Sequence, residues 1–230
     1  MAVNEAILSK ITPTRLKMSY EEFLAWADED THVEWVDGEV IVHMPPKNIH
    51  QTTLGFLYRL LGLFVDLFGL GKVGIAPFEV KLMPDGPSRE PDLFFIANEN
   101  LDRLTEDRLV GPADLIIEIV STDSVRRDRQ DKLQEYRDAG VQEYWVIDPR
   151  SNKQRADFYQ RDEKGEYQLY ATEDDDRAIS QVLPGFWLRP AWLWQVETLS
   201  PLTCCLEIEG VAAALSRQLG QVPRSGEGES

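Results

Sequence analysis

One short run of residues restricts the fold more than any other part of this sequence. Residues 115–120 read Leu-Ile-Ile-Glu-Ile-Val, a nearly continuous apolar run that only the charge of Glu118 interrupts. Such a run is typical of a strand covered on both faces, because a strand with one solvated face alternates apolar and polar residues. The sequence therefore predicts an α/β protein with a sheet buried between layers.

The segments around this run predict an order of helix, three strands, helix and strand. Apolar residues recur at helical spacing over residues 50–68, and the charged segment 125–139 is helical and ends at Gly140. The predicted strands cover residues 72–83, 90–96, 114–120 and 142–148. We expect them to form a mixed central sheet flanked by helices.

Further elements are predicted on both sides of this core. Alternation around Asp37-Gly38 predicts an N-terminal β-hairpin over residues 33–44, and strands added near the C-terminus flank a second turn at residues 162–165. The domain boundaries that we predict are a single domain over residues 18–200, an N-terminal arm over 1–17, and a C-terminal helix with a disordered tail over 201–230.

Charge and hydropathy restrict the partners and the location. The chain has 40 acidic and 24 basic residues, and its net charge of −16 argues against a broad surface for phosphate backbones. A local basic groove or a bound cation could still admit DNA. The most apolar run, residues 54–70, contains two charges, and the first 17 residues lack the apolar segment of a secretory signal. We therefore expect no membrane association and a cytoplasmic location.

Two carboxylates in apolar strands mark the candidate site. Asp92 follows Pro91 at the start of an apolar strand, and Glu118 lies inside the run described above. An unpaired carboxylate in such a strand is strongly disfavoured, and the usual remedies are a cation, a hydrogen-bond network or protonation. Because Mg²⁺ takes oxygen ligands and is commonly held by one or two carboxylates, the pair predicts a site for Mg²⁺, with Mn²⁺ as a substitute.

The helix predicted over residues 125–139 supplies a third group. Asp128, Lys132 and Tyr136 are spaced four residues apart and therefore share one face of it. A lysine beside a metal site could orient or deprotonate water and stabilise the charge that develops on a phosphate. We predict that Lys132 acts with Asp92 and Glu118 in the hydrolysis of a phosphodiester bond.

Structural interpretations compete with this prediction. Asp92 could be only a turn residue after a proline, and Asp128 with Lys132 could be a solvated ion pair. Glu118 could form a structural salt bridge with Arg126, Arg127 or Lys132.

Other polar residues are weaker candidates. Glu34, in the first hairpin, could add a ligand, although glutamates of edge strands usually face water. The three histidines, His32, His43 and His50, show no regular metal-ligand spacing and are expected at the surface or in the hairpin. Glu34 and Asp128 are therefore secondary candidates for the site.

Several segments, in one order, resemble a known family. They are Tyr-Glu-Glu-Phe at 20–23, Glu-Trp-Val-Asp-Gly-Glu at 34–39, Glu-Pro-Asp-Leu at 90–93, the run at 115–121, Asp128 to Lys132 with Tyr136, and Gly-Val-Gln-Glu-Tyr-Trp-Val-Ile-Asp-Pro at 140–149. Over about residues 18–170 the chain resembles the Uma-type restriction endonucleases of the PD-(D/E)XK nuclease superfamily. The resemblance implies a DNA endonuclease whose core has the order of helices and strands predicted above.

The resemblance also implies roles for individual residues. Asp92 matches the PD aspartate and Glu118 the (D/E) position, and both are implied metal ligands. The motif then requires a lysine at position 120, which is Val120 here, and Lys132 in the following helix is the matching residue. Glu34 matches a further family position.

The sequence permits alternatives for the oligomeric state and for the activity. A homodimer is expected if the protein cuts both strands of DNA, because each cut needs a site. The acidic surface and the missing lysine after Glu118 also permit a catalytically inactive interaction protein with a nuclease fold. A hydrolase of another phosphate ester is a further alternative.

Overall fold

A computed structural model describes residues 16–26, 33–42, 47–122 and 124–221. The strands are β1 (Leu16–Lys17), β2 (Val33–Val36), β3 (Glu39–Val42), β4 (Gly71–Ile75), β5 (Glu79–Lys81), β6 (Ser88–Arg89), β7 (Leu93–Ala97), β8 (Arg108–Val110), β9 (Leu115–Ile119), β10 (Glu143–Asp148), β11 (Arg155–Arg161), β12 (Tyr167–Thr172), β13 (Ala178–Ile179) and β14 (Trp187–Leu188). The α-helices are α1 (Tyr20–Trp26), α2 (Asn48–Phe68), α3 (Lys132–Ala139), α4 (Pro201–Leu206) and α5 (Val211–Gln221).

The central sheet has six strands in the order β12-β11-β10-β9-β7-β4. β9 and β10 run parallel, whereas the other neighbours are antiparallel, so the sheet is mixed. The elements α2, β4, β7, β9, α3 and β10 follow one another as helix, three strands, helix and strand. This order confirms the predicted restriction-endonuclease-like core.

Both faces of β9 are buried, as the apolar run predicts. Leu115 and Ile117 pack into a hydrophobic cluster with α2, whereas Ile116 and Val120 pack on the opposite face with Tyr136 of α3. Side chains alternate between the faces of a strand, so Glu118 shares the face that α3 covers. The one charge of the run therefore points toward the helix that carries Lys132.

A second sheet, in the order β1-β3-β2-β6-β5-β8, includes the second half of the predicted segment 72–83. That segment is two strands: β4 lies at the edge of the central sheet, and β5 belongs to the second sheet. Pro77 lies between them, and proline has no N–H to continue a ladder. The predicted hairpin is formed by β2 and β3, and β2 is an interior strand.

The C-terminal segments complete the cluster on the α2 side of the central sheet. Its members include Trp187, Trp192, Cys204, Cys205 and Val211. The C-terminal helix predicted within residues 201–230 is α5, whereas residues 222–230 of that segment lie outside the described residues. No helix within the described ranges is long and apolar enough to span a membrane.

The first residue of β4 permits a test of the sheet packing. A Cβ atom at Gly71 would lie 2.0 Å from the backbone oxygen of Ile96, so Gly71→Ala must displace strand backbone. We expect the free energy of unfolding to fall by about 2–3 kcal/mol, as measured by urea denaturation. Gly62→Ala in α2 is the matched control, because no atom lies within 4 Å of its added Cβ. Equal losses in the two variants would contradict this packing.

Candidate active site

Asp92 and Glu118 meet across two adjacent strands. β7 and β9 are antiparallel and pair Leu93 with Ile117, so the same register continued by one residue places Asp92 opposite Glu118. The backbone N–H of Ile119 donates a hydrogen bond to Oδ2 of Asp92 at 2.6 Å. The sheet itself therefore brings together the two carboxylates that the sequence singled out.

Glu118 is buried, with 4% of its surface exposed, and one of its oxygens accepts two hydrogen bonds. Nζ of Lys132 donates to Oε1 at 2.8 Å, and the hydroxyl of Tyr136 donates to the same atom at 2.6 Å. Burial raises the pKa of the Glu118 carboxyl, and the Lys132 ammonium only partly offsets that rise. No hydrogen bond from the described part of the chain reaches Oε2.

Lys132 is held between carboxylates from both sheets. Its Nζ lies 2.8 Å from Oε1 of Glu118, 3.0 Å from Oε1 of Glu34 and 4.0 Å from Oδ1 of Asp128. Burial alone would lower the pKa of Lys132, but the three carboxylates outweigh burial and raise it. Lys132 is thus an ammonium, which suits it to orient water or phosphate and not to remove a proton.

Glu34 reaches the site from the second sheet. It is 1% exposed, and its Oε2 accepts a hydrogen bond from Nη1 of Arg89 at 3.0 Å. Arg89 also binds Glu135 of α3 through two hydrogen bonds, at 2.8 and 2.6 Å. The expectation that Glu34 faces water is wrong because β2 is an interior strand. The charges along Lys132, Glu34, Arg89 and Glu135 alternate in sign, which is how charged groups are kept at low exposure.

Asp128 is also buried, so the interpretation of Asp128 and Lys132 as a solvated ion pair is wrong. Each residue is 2% exposed. The segment predicted as one α-helix includes a π-helical turn at Arg127–Asp131, directly before α3. A π turn contains one residue more than an α turn and is frequent at functional sites. Burial is the main cause that raises the pKa of Asp128.

His50 is the site residue that sequence reasoning missed. It lies in the first turn of α2, is 8% exposed, and places Nε2 3.2 Å from Oδ2 of Asp92. Burial tends to lower the pKa of His50, but the carboxylate of Asp92, together with those of Glu118 and Asp128, outweighs burial and raises the pKa. Only the packing of α2 against the sheet brings the two residues together, so sequence spacing carries no signal for it. His32 and His43 lie outside the described residues.

The carboxylate oxygens of Asp92 and Glu118 fit a hard divalent cation whose other ligands are water and substrate. Oδ1 of Asp92 and Oε2 of Glu118 accept no hydrogen bond within the ranges that the structure describes. In those ranges, no group of three or more His, Cys, Asp or Glu side chains is arranged to hold a metal ion. Mg²⁺ commonly uses one or two carboxylates and fills its other positions with water and substrate phosphate. The pair Asp92 and Glu118 therefore fits Mg²⁺ chemistry, whereas a cage made entirely of protein ligands is not present there.

A comparison with protein families shows which family the chain belongs to. The model of a family described as "Uma2: Putative restriction endonuclease" matches residues 20–191. The chain belongs to the Uma2 family. The Uma2 match covers most of the two sheets and every candidate site residue, and it confirms the resemblance found over residues 18–170.

A solved structure resembles this Uma2 chain in fold. The crystal structure of "a putative nuclease belonging to DUF820" from Anabaena variabilis has a TM-score of 0.64 and 17% sequence identity to it. The match covers 78% of this chain and 98% of that chain. At this identity the likeness establishes a shared fold. No curated protein matches the chain.

Proposed function

We propose that this Uma2 protein is a Mg²⁺-dependent DNA endonuclease. One observation carries the proposal: two carboxylates meet on adjacent strands, and a buried ammonium binds one of them. One oxygen of each carboxylate accepts hydrogen bonds from the protein. The other oxygen, Oδ1 of Asp92 or Oε2 of Glu118, accepts none from the described residues. This is the arrangement expected where a cation and a phosphodiester complete the site.

The residues of the chain divide the chemistry among them. Asp92 and Glu118 would hold Mg²⁺, and His50 and the N–H of Ile119 fix the orientation of the Asp92 carboxylate. When bound, the cation supplies a Lewis acid that offsets phosphate charge and activates water. Lys132 donates a hydrogen bond to Glu118 and forms an ion pair with Glu34, and a remaining N–H would donate to the attacking water or to a phosphate oxygen.

DNA is the proposed substrate, and Mn²⁺ is a proposed substitute for Mg²⁺. The net charge of −16 weakens long-range attraction to DNA, but a bound cation would offset the negative charge of the carboxylates at the site itself. A homodimer would supply the second site that a double-strand cut requires. The cytoplasmic location stays a prediction.

Metal removal and ligand substitution test the proposal together. The native chain is expected to nick supercoiled plasmid in Mg²⁺ or Mn²⁺ and to stop when EDTA is added. Asp92→Asn and Glu118→Gln each remove a charged ligand, and we expect either change to weaken Mn²⁺ binding by about tenfold or more in a calorimetric titration. Glu163→Gln, an exposed residue of the β11–β12 turn, is the charge-matched control.

The outcomes separate the candidate functions. Unchanged Mn²⁺ binding in Asp92→Asn and Glu118→Gln would contradict the metal site. Specific Mn²⁺ binding without nicking of any DNA would favour a hydrolase of another phosphate ester. Neither binding nor nicking would favour the interaction protein with a nuclease fold.

A further inference from the structure

The two donors that reach the buried carboxylate of Glu118 bind the same oxygen. Nζ of Lys132 and the hydroxyl of Tyr136 donate to Oε1 at 2.8 and 2.6 Å, and the Glu118 side chain is 5% exposed. A carboxylate oxygen has about two lone-pair positions, so these two donors fill Oε1. A cation can therefore bind this carboxylate only through Oε2, which accepts no hydrogen bond from the described residues.

Asp92 has the same pattern on the neighbouring strand. Its Oδ2 accepts a hydrogen bond from the backbone N–H of Ile119 at 2.6 Å and lies 3.2 Å from Nε2 of His50. Its other oxygen, Oδ1, accepts no hydrogen bond within the described ranges. The Asp92 side chain is 18% exposed, so ions from solvent can reach it. Each of the two carboxylates thus offers one oxygen to a cation.

Packing holds the side chains of Tyr136 and His50 in place. Tyr136 is fully buried, and its ring packs edge-on against Tyr144 with the ring centroids 5.0 Å apart. Tyr144 in turn donates its hydroxyl to the backbone oxygen of Asp128, in the π turn, at 2.8 Å. His50 is buried in the first turn of α2, the helix that covers the other face of the sheet. Neither side chain can turn away from its carboxylate without disturbing packed neighbours.

The number of oxygens that a carboxylate offers affects which cation it suits. Ca²⁺ takes about six to eight oxygen ligands in flexible geometry, and carboxylates commonly supply both of their oxygens to it. Mg²⁺ is smaller, requires nearly ideal octahedral geometry, and keeps several waters beside one or two carboxylates. Mn²⁺ also accepts octahedral oxygen ligands. Two carboxylates that offer one oxygen each therefore suit Mg²⁺ and Mn²⁺ and supply few ligands for Ca²⁺.

We propose that Tyr136 and His50 are positioning residues that limit Glu118 and Asp92 to one metal-facing oxygen each, and that they thereby make the site select Mg²⁺ and Mn²⁺ over Ca²⁺. This inference rests on the proposed Mg²⁺-dependent function and adds the residues that set its ion specificity. If the Tyr136 hydroxyl served only to satisfy a buried acid, its removal would weaken the binding of every cation in the same proportion. The ratio of affinities for two cations therefore distinguishes the two roles.

Tyr136→Phe tests the Glu118 half of the proposal, because it keeps the packed ring and removes only the hydroxyl from Oε1. Calorimetric titrations with Mn²⁺ and with Ca²⁺, in the absence of DNA, give the ratio of the Ca²⁺ Kd to the Mn²⁺ Kd. We expect the native chain to bind Mn²⁺ more tightly and this ratio to fall by about tenfold in Tyr136→Phe, the size typical of removing an outer partner of a metal ligand. Tyr167→Phe is the matched control and should keep the native ratio, because its hydroxyl donates to the backbone oxygen of Val141 at 3.0 Å and not to a carboxylate.

A pair of substitutions at His50 tests the Asp92 half and does not depend on the folding of Tyr136→Phe. His50→Leu removes the donor beside Oδ2, so we expect the ratio to fall by about tenfold here as well. His50→Gln can place an amide N–H near the position of Nε2 and is expected to keep the native ratio. Thermal unfolding shows which variants are folded before the titrations are compared.

The outcomes separate this inference from the proposed function. An unchanged ratio in the folded variants Tyr136→Phe and His50→Leu would show that the two residues only support the fold, and metal-dependent nicking by the native chain would still stand. A lowered ratio in either of them, with the native ratio in the controls, would support the inference. It would do so even if the native chain cut no DNA, in which case the endonuclease proposal alone would fail. A native chain that bound neither cation would overturn both.

Discussion

Lys132→Gln is expected to slow plasmid nicking by about 10²–10³-fold, the effect typical of removing one charged or hydrogen-bonding group from a reacting phosphate or carbonyl. Glutamine keeps hydrogen-bond donors near Glu118 and Glu34 but removes the positive charge. The carboxylates of Asp92 and Glu118 remain, so Mn²⁺ binding is expected to be retained. Single-turnover nicking measures the chemical step separately from DNA binding.

A second substitution separates the chemistry of Lys132 from its part in the fold. Lys132→Gln alone leaves the buried carboxylates of Glu34 and Glu118 without their shared cation, which costs stability. The double variant Glu34→Gln/Lys132→Gln removes one charge of each sign, so we expect it to unfold at a temperature closer to that of the native chain. Nicking should remain low in the double variant. Recovery of nicking together with stability would mean that Lys132 only supports the fold.

Glu143→Ala is expected to lower the free energy of unfolding by about 4 kcal/mol, the largest stability effect that we predict. Glu143 is fully buried in β10 and has five hydrogen-bond donors around it. Oε1 accepts from Trp145 and Tyr170, and Oε2 accepts from the Ser180 hydroxyl and from two backbone N–H groups at residues 181 and 182. Alanine removes the carboxylate that all five donors share, and only Trp145 keeps another acceptor, the hydroxyl of Tyr170.

Urea denaturation measures this loss of stability, and two further variants serve as comparisons. Glu143→Gln keeps one acceptor but turns an NH₂ group toward the donors around Oε2, so we expect an intermediate loss of roughly 2–3 kcal/mol. Glu163→Gln, at an exposed turn, changes the charge equally and should be neutral within about 0.5 kcal/mol. A loss below about 1 kcal/mol for Glu143→Ala would contradict the hydrogen-bond network around this carboxylate.

The central sheet could be predicted from the sequence because its signals are local. The apolar run at residues 115–120 specifies a strand covered on both faces, and the helical spacing over 50–68 specifies the helix that covers one of them. Asp92 and Glu118 were found for the same reason, since a carboxylate in an apolar strand is conspicuous. Lys132 followed from the spacing within one helix.

Other features depend on contacts between distant segments and have no local signal. In the second sheet, β5 pairs with β6 and β8, and β2 lies between β3 and β6. Glu34 is therefore a residue of an interior strand and not of an edge strand. His50 meets Asp92 only because α2 packs on the central sheet. The π turn before α3 adds one residue to an otherwise helical pattern, which composition alone does not predict.

The position of Lys132 on a helix has a consequence for how the candidate site can be recognised. Val120 occupies the position where the tripeptide motif has its lysine, and it is 1% exposed in the cluster that Tyr136 joins. Residue 120 therefore belongs to the hydrophobic core, whereas the ammonium group comes from a separate element, α3. A search for the motif as consecutive residues misses a candidate site assembled in this way, whereas a search in space for two carboxylates and one ammonium finds it.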